Sequence, residues 1–123
     1  MEAIIEHNEA DIIVTDIWQE YNGDTKNIIP AKDSRTWMHG KIYRSEFIKK
    51  NNLTFPTHLK TNEDLAFNLS LYAYDPESYL MNEEVYYFRR NPNSTTKNPT
   101  TLALCNSVDY IEAIYWAFCH YKA

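Results

Sequence analysis

Glycine occurs only at Gly23 and Gly40 in 123 residues, and that scarcity removes more architectures than any motif adds. A loop that wraps phosphate needs several closely spaced glycines, because only they let backbone N–H groups crowd the anion and take positive φ freely. P-loop and dinucleotide-binding readings are therefore excluded. HExxH, CxxC and GxSxG are absent as well, which removes the common zinc-protease, dithiol and nucleophile-elbow readings. The 17 acidic residues outnumber the 12 basic ones. That balance argues against a chain whose main work is neutralising nucleic-acid phosphates, so no nucleic-acid partner is expected.

The length suits one domain with its own core. No apolar run approaches the roughly 20 residues of a membrane span. The opening MEAIIEHNEADIIV carries Glu and lacks a basic stretch followed by an apolar core, so it does not read as a signal peptide. Cys105 and Cys119 fall in the last expected helix at a spacing unsuited to a mutual bridge. They read as reduced thiols, and the expected location is cytoplasmic, with peripheral membrane attachment as a variant.

Hydrophobic periodicity lays out the elements. Residues 1–9 read as the tail of a helix. ADIIVTDIWQEY (10–21) reads as a strand, and the β-branched run Ile12–Thr15 suits one covered on both faces. Residues 22–34 carry turn chemistry and are expected to form a mobile excursion. Ser45 opens a short helix with Phe47 and Ile48 facing inward, and LTFP (53–56) is extended because a residue before proline avoids the helical region. Thr61 or Asn62 opens a helix to about Tyr74, with Leu65, Leu69 and Tyr72 at helical spacing and Pro76 beyond it. Residues 77–90 read as two short strands broken at Asn82-Glu83, and 90–99 as a polar loop. A helix from Thr100 to the C-terminus carries Val108, Ile111, Tyr115 and Phe118 on one stripe. Strands alternating with helices make the chain α/β. It starts in a partial helix and enters a central strand at once, so a further segment is expected upstream.

Four stretches, taken in order, resemble the acceptor-side, C-terminal half of a family 2 glycosyltransferase with the GT-A fold. They are EADIIVTDIWQEYN (9–22), WMHGKIYRSEFIKKNNLTFP (37–56), TNEDLAFNLSLYAY (61–74) and VYYFRRNPNST (85–95). The resemblance covers residues 1 to about 97. It implies a partial GT-A-like, Rossmann-like mixed sheet flanked by helices over residues 1–99, with a long C-terminal helix (100–123) packed on it. The family's nucleotide-binding strands and metal-ligating DxD are missing from this chain. Asp11 and Asp16 lie on the strand that resembles the segment after DxD and do not replace it.

Inverting sugar transfer needs a base for the acceptor hydroxyl, room for an oxocarbenium-like transition state, and charge stabilisation for the departing nucleoside diphosphate. The resemblance implies that Asp64 is the base and that Glu63 orients it or holds an acceptor hydroxyl. A helix N-terminus favours the ionised carboxylate that a base requires. Read as local pattern, Thr61-x-x-Asp64 is equally a capping box that satisfies helix N–H groups. The loop bearing Arg89, Arg90, Asn93, Ser94 and Lys97 is implied to close over the donor diphosphate, for which Arg forks are suited. Its plain alternative is a solvated turn. Trp37, His39 and Lys41 are acceptor or sugar-binding candidates, with Gly40 permitting close backbone approach. Trp37 equally suits the core, and a lone His is often a hydrogen-bonded structural residue. The aromatic last helix either packs on the preceding sheet or presents a partner or membrane-interface surface.

These readings together imply part of an inverting transferase that uses a nucleotide-sugar and an acceptor hydroxyl. Mg²⁺ or Mn²⁺ is expected in the complete enzyme and none on this chain alone. A separate N-terminal half or a homo-oligomer is the expected partner, and little activity is expected without the donor half. The rival reading is a non-catalytic carbohydrate-binding or protein-interaction module built on the same scaffold.

Overall fold

The computed structural model describes residues 9–21, 25–89, 91–94 and 99–122. Residues 1–8, read above as a helix tail, lie outside the described residues. The elements in order are β1 (Ile12–Tyr21), β2 (Thr25–Ile29), β3 (Lys41–Tyr43), α1 (Ser45–Lys50), α2 (Glu63–Tyr72), β4 (Ser78–Phe88) and α3 (Pro99–Lys122). The chain is α/β with a mixed four-stranded sheet, as its alternation of patterns predicts. It divides into two compact units. One holds the four strands; the other holds α2 and α3.

Within the sheet unit, β1 pairs with all three other strands. It is antiparallel to β2 through Ile17–Tyr21, antiparallel to β3 through Ile12–Val14, and parallel to β4 through Ile12–Gln19. Since Ile12–Val14 pair with β3 and β4 at once, those strands lie on opposite edges of β1, and β2 shares the edge of β3. Four consecutive residues, Ile12, Ile13, Val14 and Thr15, are buried, and Ile17 with them. Burial at every position means both faces are covered, as the β-branched run requires.

Two expectations are corrected here. Residues 25–29 form β2, whose register sets Tyr21 against Thr25 and Ile17 against Ile29. Asn22-Gly23-Asp24, at the start of the expected excursion, lie outside the described residues. Residues 78–88 form one strand rather than two. The break read at Asn82-Glu83 is a bulge: Met81 faces Thr15 and Glu84 faces Asp16, leaving Asn82 and Glu83 extra, and Tyr86 faces Ile17, leaving Val85 extra.

Gly40 locks the segment before β3 to β1. Its φ is +68°, and an added Cβ would lie 2.8 Å from Ile17 Cγ1 and 3.1 Å from the Thr15 carbonyl oxygen. The Gly40 carbonyl accepts from Thr15 N–H at 2.7 Å and from the Thr15 hydroxyl at 3.1 Å. The close backbone approach expected of Gly40 is therefore an approach to β1.

In the other unit, α2 is buried nearly all round, through Leu65, Ala66, Phe67, Asn68, Ser70 and Leu71. The expected stripe is only part of that surface: Leu65 is buried, while Leu69 and Tyr72 are half-buried. Phe55 stacks on Phe67 with centroids 4.3 Å apart, and Ser70 returns its hydroxyl to the Ala66 carbonyl at 2.8 Å. Helix α3 meets α2 through Ala113, with Leu59, Leu69 and Trp116 packed around Leu65 and Ala66. The stripe Val108, Ile111, Tyr115 and Phe118 is exposed instead. Small residues at Ala113 and Ala117 allow close helix approach, and that overrides the larger apolar stripe as the packing face.

Gly40→Ala is expected to lower stability by roughly 2 kcal/mol or more, from left-handed backbone strain and crowding against β1. The urea midpoint of the variant, set against that of the parent chain, checks this.

Candidate functional site

The bulge in β4 decides which residues face the His39 segment. Side chains alternate faces along a strand, so an odd number of extra residues exchanges the two sets. Before the bulge, Tyr79 and Met81 align with Ile13 and Thr15; after it, Tyr86 and Phe88 align with Ile17 and Gln19. Tyr86 and Phe88 therefore share the face of β1 on which Gly40 rests. His39 meets both: its Nδ1 lies 3.1 Å from the Tyr86 hydroxyl, and its ring is edge-on to Phe88 at 4.9 Å. The result is a half-exposed polar-aromatic group of three residues. Tyr86 and Phe88 were not among the sequence candidates, and their i, i+2 spacing was the available signal.

The neighbouring residues of HGKIYR have structural duties. Lys41 turns its ammonium inward to the Ser34 carbonyl, with Asp33 at 3.9 Å and its side chain almost wholly buried. Burial lowers its pKa, and the Asp33 charge opposes that shift. Arg44 donates from Nε and Nη2 to the Ala10 carbonyl at 3.0 and 2.9 Å, with the Asp11 carboxylate 3.7 Å away. Asp11 also accepts from Glu77 N–H at 3.0 Å, so one Arg–Asp pair fastens the start of β1 to β3 and to the approach of β4. Asp16 accepts from Ala31 N–H at 2.5 Å and holds the segment after β2. Arg89 follows β4, exposed, with Glu20 at 3.8 Å.

Glu63 and Asp64 occupy the first turn of α2 in the helical unit. The capping-box reading fails at Thr61. The N-cap is Asn62, with φ of 62° and no side-chain cap bond, a conformation that Asn tolerates better than most residues. Thr61 directs its hydroxyl to Asp109 Oδ2 at 3.0 Å, and the N–H groups of Thr61 and Lys60 donate to the same oxygen at 2.9 and 3.1 Å. Asp109 on α3 thus ties down the entry to the Glu63-Asp64 turn. It is one of two acidic residues in an aromatic helix, and nothing local in the sequence pairs it with Thr61. Desolvation pushes the Asp109 pKa up, but the bonds from Thr61 and Lys60 and the Lys60 charge outweigh it and hold the carboxyl below its ordinary range.

At the other end of α3, His120 fulfils a second fastening. A carbonyl can only accept, so Nε2 donates to the Asn52 carbonyl at 2.9 Å. In the neutral tautomer Nδ1 then accepts from the Tyr74 hydroxyl at 3.2 Å. Trp37 is 49% exposed, so the core role considered for it is corrected. Asn93 and Ser94 belong to a turn closed by Ser94 N–H on the Asn91 carbonyl, with Asn93 N–H on Asn91 Oδ1. Arg90 and Lys97 lie outside the described residues. The candidates are thus distributed: His39, Lys41 and Arg89 in the sheet unit, and Trp37, Glu63, Asp64, Asn93 and Ser94 in the helical unit. Among the described residues no three His, Cys, Asp or Glu side chains gather as a metal site.

No protein-family model matches the chain. Two curated proteins match in part. Over 58 residues the chain is 36% identical to an uncharacterized glycosyltransferase, EpsJ, of Bacillus subtilis, covering 47% of this chain and 17% of that protein. Over 72 residues it is 28% identical to a poly(ribitol-phosphate) beta-glucosyltransferase of Bacillus spizizenii, covering 58% of this chain and 11% of that protein. The matches relate the chain to glycosyltransferases. They span less than a fifth of either relative.

Asp109→Asn is expected to lower the urea midpoint at neutral pH. Because the folded carboxyl titrates below its ordinary value, its contribution is present above about pH 4 and lost as pH falls through the depressed value. The gap between variant and parent should close on acidification, as urea midpoints measured across that range will read out.

Proposed function

We propose that this chain is the acceptor-side part of an inverting glycosyltransferase of family 2 type with a GT-A fold. It moves a sugar from a nucleotide-sugar to an acceptor hydroxyl, with Asp64 as the general base and Glu63 beside it to orient the base or the acceptor. The observation that carries the reading is the occupation of Thr61 by Asp109. It removes Thr61 as the reciprocal partner that a capping box would give Asp64, while anchoring the turn on which both carboxylates sit. A base needs such an anchored backbone, since misplacement by about 1 Å can cost on the order of 100-fold in rate.

Arg89, Arg90, Asn93, Ser94 and Lys97 are proposed to serve the donor diphosphate, and Trp37 and His39 the sugar or acceptor. The exposed Trp37 ring and the His39–Tyr86–Phe88 group offer aromatic faces suited to the C–H faces of a pyranose. Lys41, its ammonium turned to Ser34 and Asp33, supports the His39 group by holding the segment before β3. Mg²⁺ or Mn²⁺ and the nucleotide belong in this reading to a donor-binding part, upstream in a longer polypeptide or on a separate chain, without which activity is low. The residue range 1–99 forms the acceptor-side body and 100–123 its accompanying helix. A cytoplasmic location is proposed; no helix among the described residues is long and apolar enough to cross a membrane. The second reading, a carbohydrate-binding or interaction module that has kept the scaffold without the reaction, draws on the short span of the relatives that is matched.

In the protein together with its donor-binding part, Asp64→Asn should reduce kcat by roughly 10²–10⁴-fold, the range of general-base contributions, with the urea midpoint unchanged. Turnover assayed by release of nucleoside diphosphate decides it. Unchanged turnover, or a loss that merely follows unfolding, removes Asp64 as the base and leaves the module reading.

A further inference from the structure

Over residues 107–121, helix α3 buries one face and exposes the other. At about 100° per residue, Asp109, Ala113, Trp116, Ala117 and His120 share the face directed at α2 and its flanking segments. The opposite arc, roughly 160° wide, is apolar throughout residues 108–121. Ile111, Ile114, Phe118 and Tyr121 recur on it at alternating three- and four-residue steps, the spacing of a helix-pairing seam. Val108, Tyr110 and Tyr115 flank that seam. Exposure on this arc runs from 44% at Ile114 to 68% at Ile111. Such a surface is on the order of 800 Å², larger than the apolar patches of roughly 300–600 Å² usual on monomers.

We propose that this face is a homodimer interface, formed by α3 packing antiparallel on α3 of a second copy. Three observations favour that occupant. First, the face is self-complementary. A two-fold axis across the seam sets Ile111 against the second copy's Tyr121 and Ile114 against its Phe118, so every seam contact is apolar on both sides, as an isologous interface requires. Secondly, the area matches what one partner of a stable complex buries, about 800 Å². Thirdly, the charge pattern permits it. The chain carries a net charge of −5, yet the only charged position on the arc from Ser107 to the end of the helix is Lys122. Antiparallel pairing places the two copies of Lys122 at opposite ends of the seam, so like charges do not meet. A lipid surface fits less well. Interfacial helices carry Lys and Arg on their polar face, whereas here that face is taken up by α2 and holds Asp109. The dimer does not depend on the sugar-transfer reading and would hold equally for a binding module.

Sedimentation equilibrium of the 123-residue chain, from low to high micromolar concentration, tests the proposal. The expected result is a monomer–dimer equilibrium whose dissociation constant rises by on the order of 100-fold or more in Ile111→Glu and in Phe118→Glu, as a buried unpaired charge predicts. Ile111 is 68% exposed in the single chain, so far-UV circular dichroism and the urea midpoint of Ile111→Glu should stay at parent values. Ile111→Ser provides a milder substitution where the charge disturbs the fold. A parent chain that stays monomeric throughout overturns the proposal. So does a dimer that survives these substitutions, or a monomer that instead co-sediments with phosphatidylcholine vesicles.

Discussion

Ten residues of backbone, Ile12–Tyr21, hold the sheet together. Each of the other strands pairs with β1, so any loss of its geometry dissolves every pairing at once. This explains why its first half is buried on consecutive positions and why its contacts go beyond the ladder. The Gly40 carbonyl takes both the N–H and the hydroxyl of Thr15, and Arg44 with Asp11 fastens the strand's entry. The glycine that the composition made rare is placed where no side chain could be accommodated. Burying the run Ile12–Thr15 removes several β-branched side chains from water, each contributing about 1.5–3 kcal/mol when fully buried. The hydrogen-bonding partners make that burial possible without stranding polar groups.

What was legible in the sequence follows from how local the determining physics is. The β-branched run of β1 and the apolar pattern of α2 are local, and both elements stand where the patterns put them. β2 was not legible, because residues 25–29 lie among turn-forming neighbours and their strand character depends on pairing with β1. At Asn82-Glu83 the irregularity was located correctly but mistaken in kind, since a break and a bulge differ only in whether a partner strand spans the gap. Which face of α3 packs was left open for a similar reason. Periodicity identifies an apolar stripe but not its neighbour, and α2 selects the side with Ala113 and Ala117, where backbones can approach.

The candidate site was legible unevenly. Glu63-Asp64 stands at the start of a helix, as its pattern indicates. Asp109 was invisible, because the bond to Thr61 joins positions 48 residues apart. HGKIYR was read as one motif but does two kinds of work. Gly40, Lys41 and Arg44 serve the sheet, and His39 alone among them is presented with Tyr86 and Phe88.

The extra residues in β4 carry a consequence for how such chains can vary in length. A loop absorbs an insertion or deletion by changing its path, but a bulge of odd count acts on parity. Removing Val85 alone would exchange the sides on which Tyr86, Tyr87 and Phe88 project, turning the aromatic pair beside His39 outward and bringing Tyr87 in. Removing two residues, such as Asn82 and Glu83, would leave those sides as they are. Lineages that gain or lose residues here in pairs can keep their side-chain arrangement, whereas single changes reverse it, and a gap misplaced by one position in an alignment would compare residues from opposite sides of the sheet.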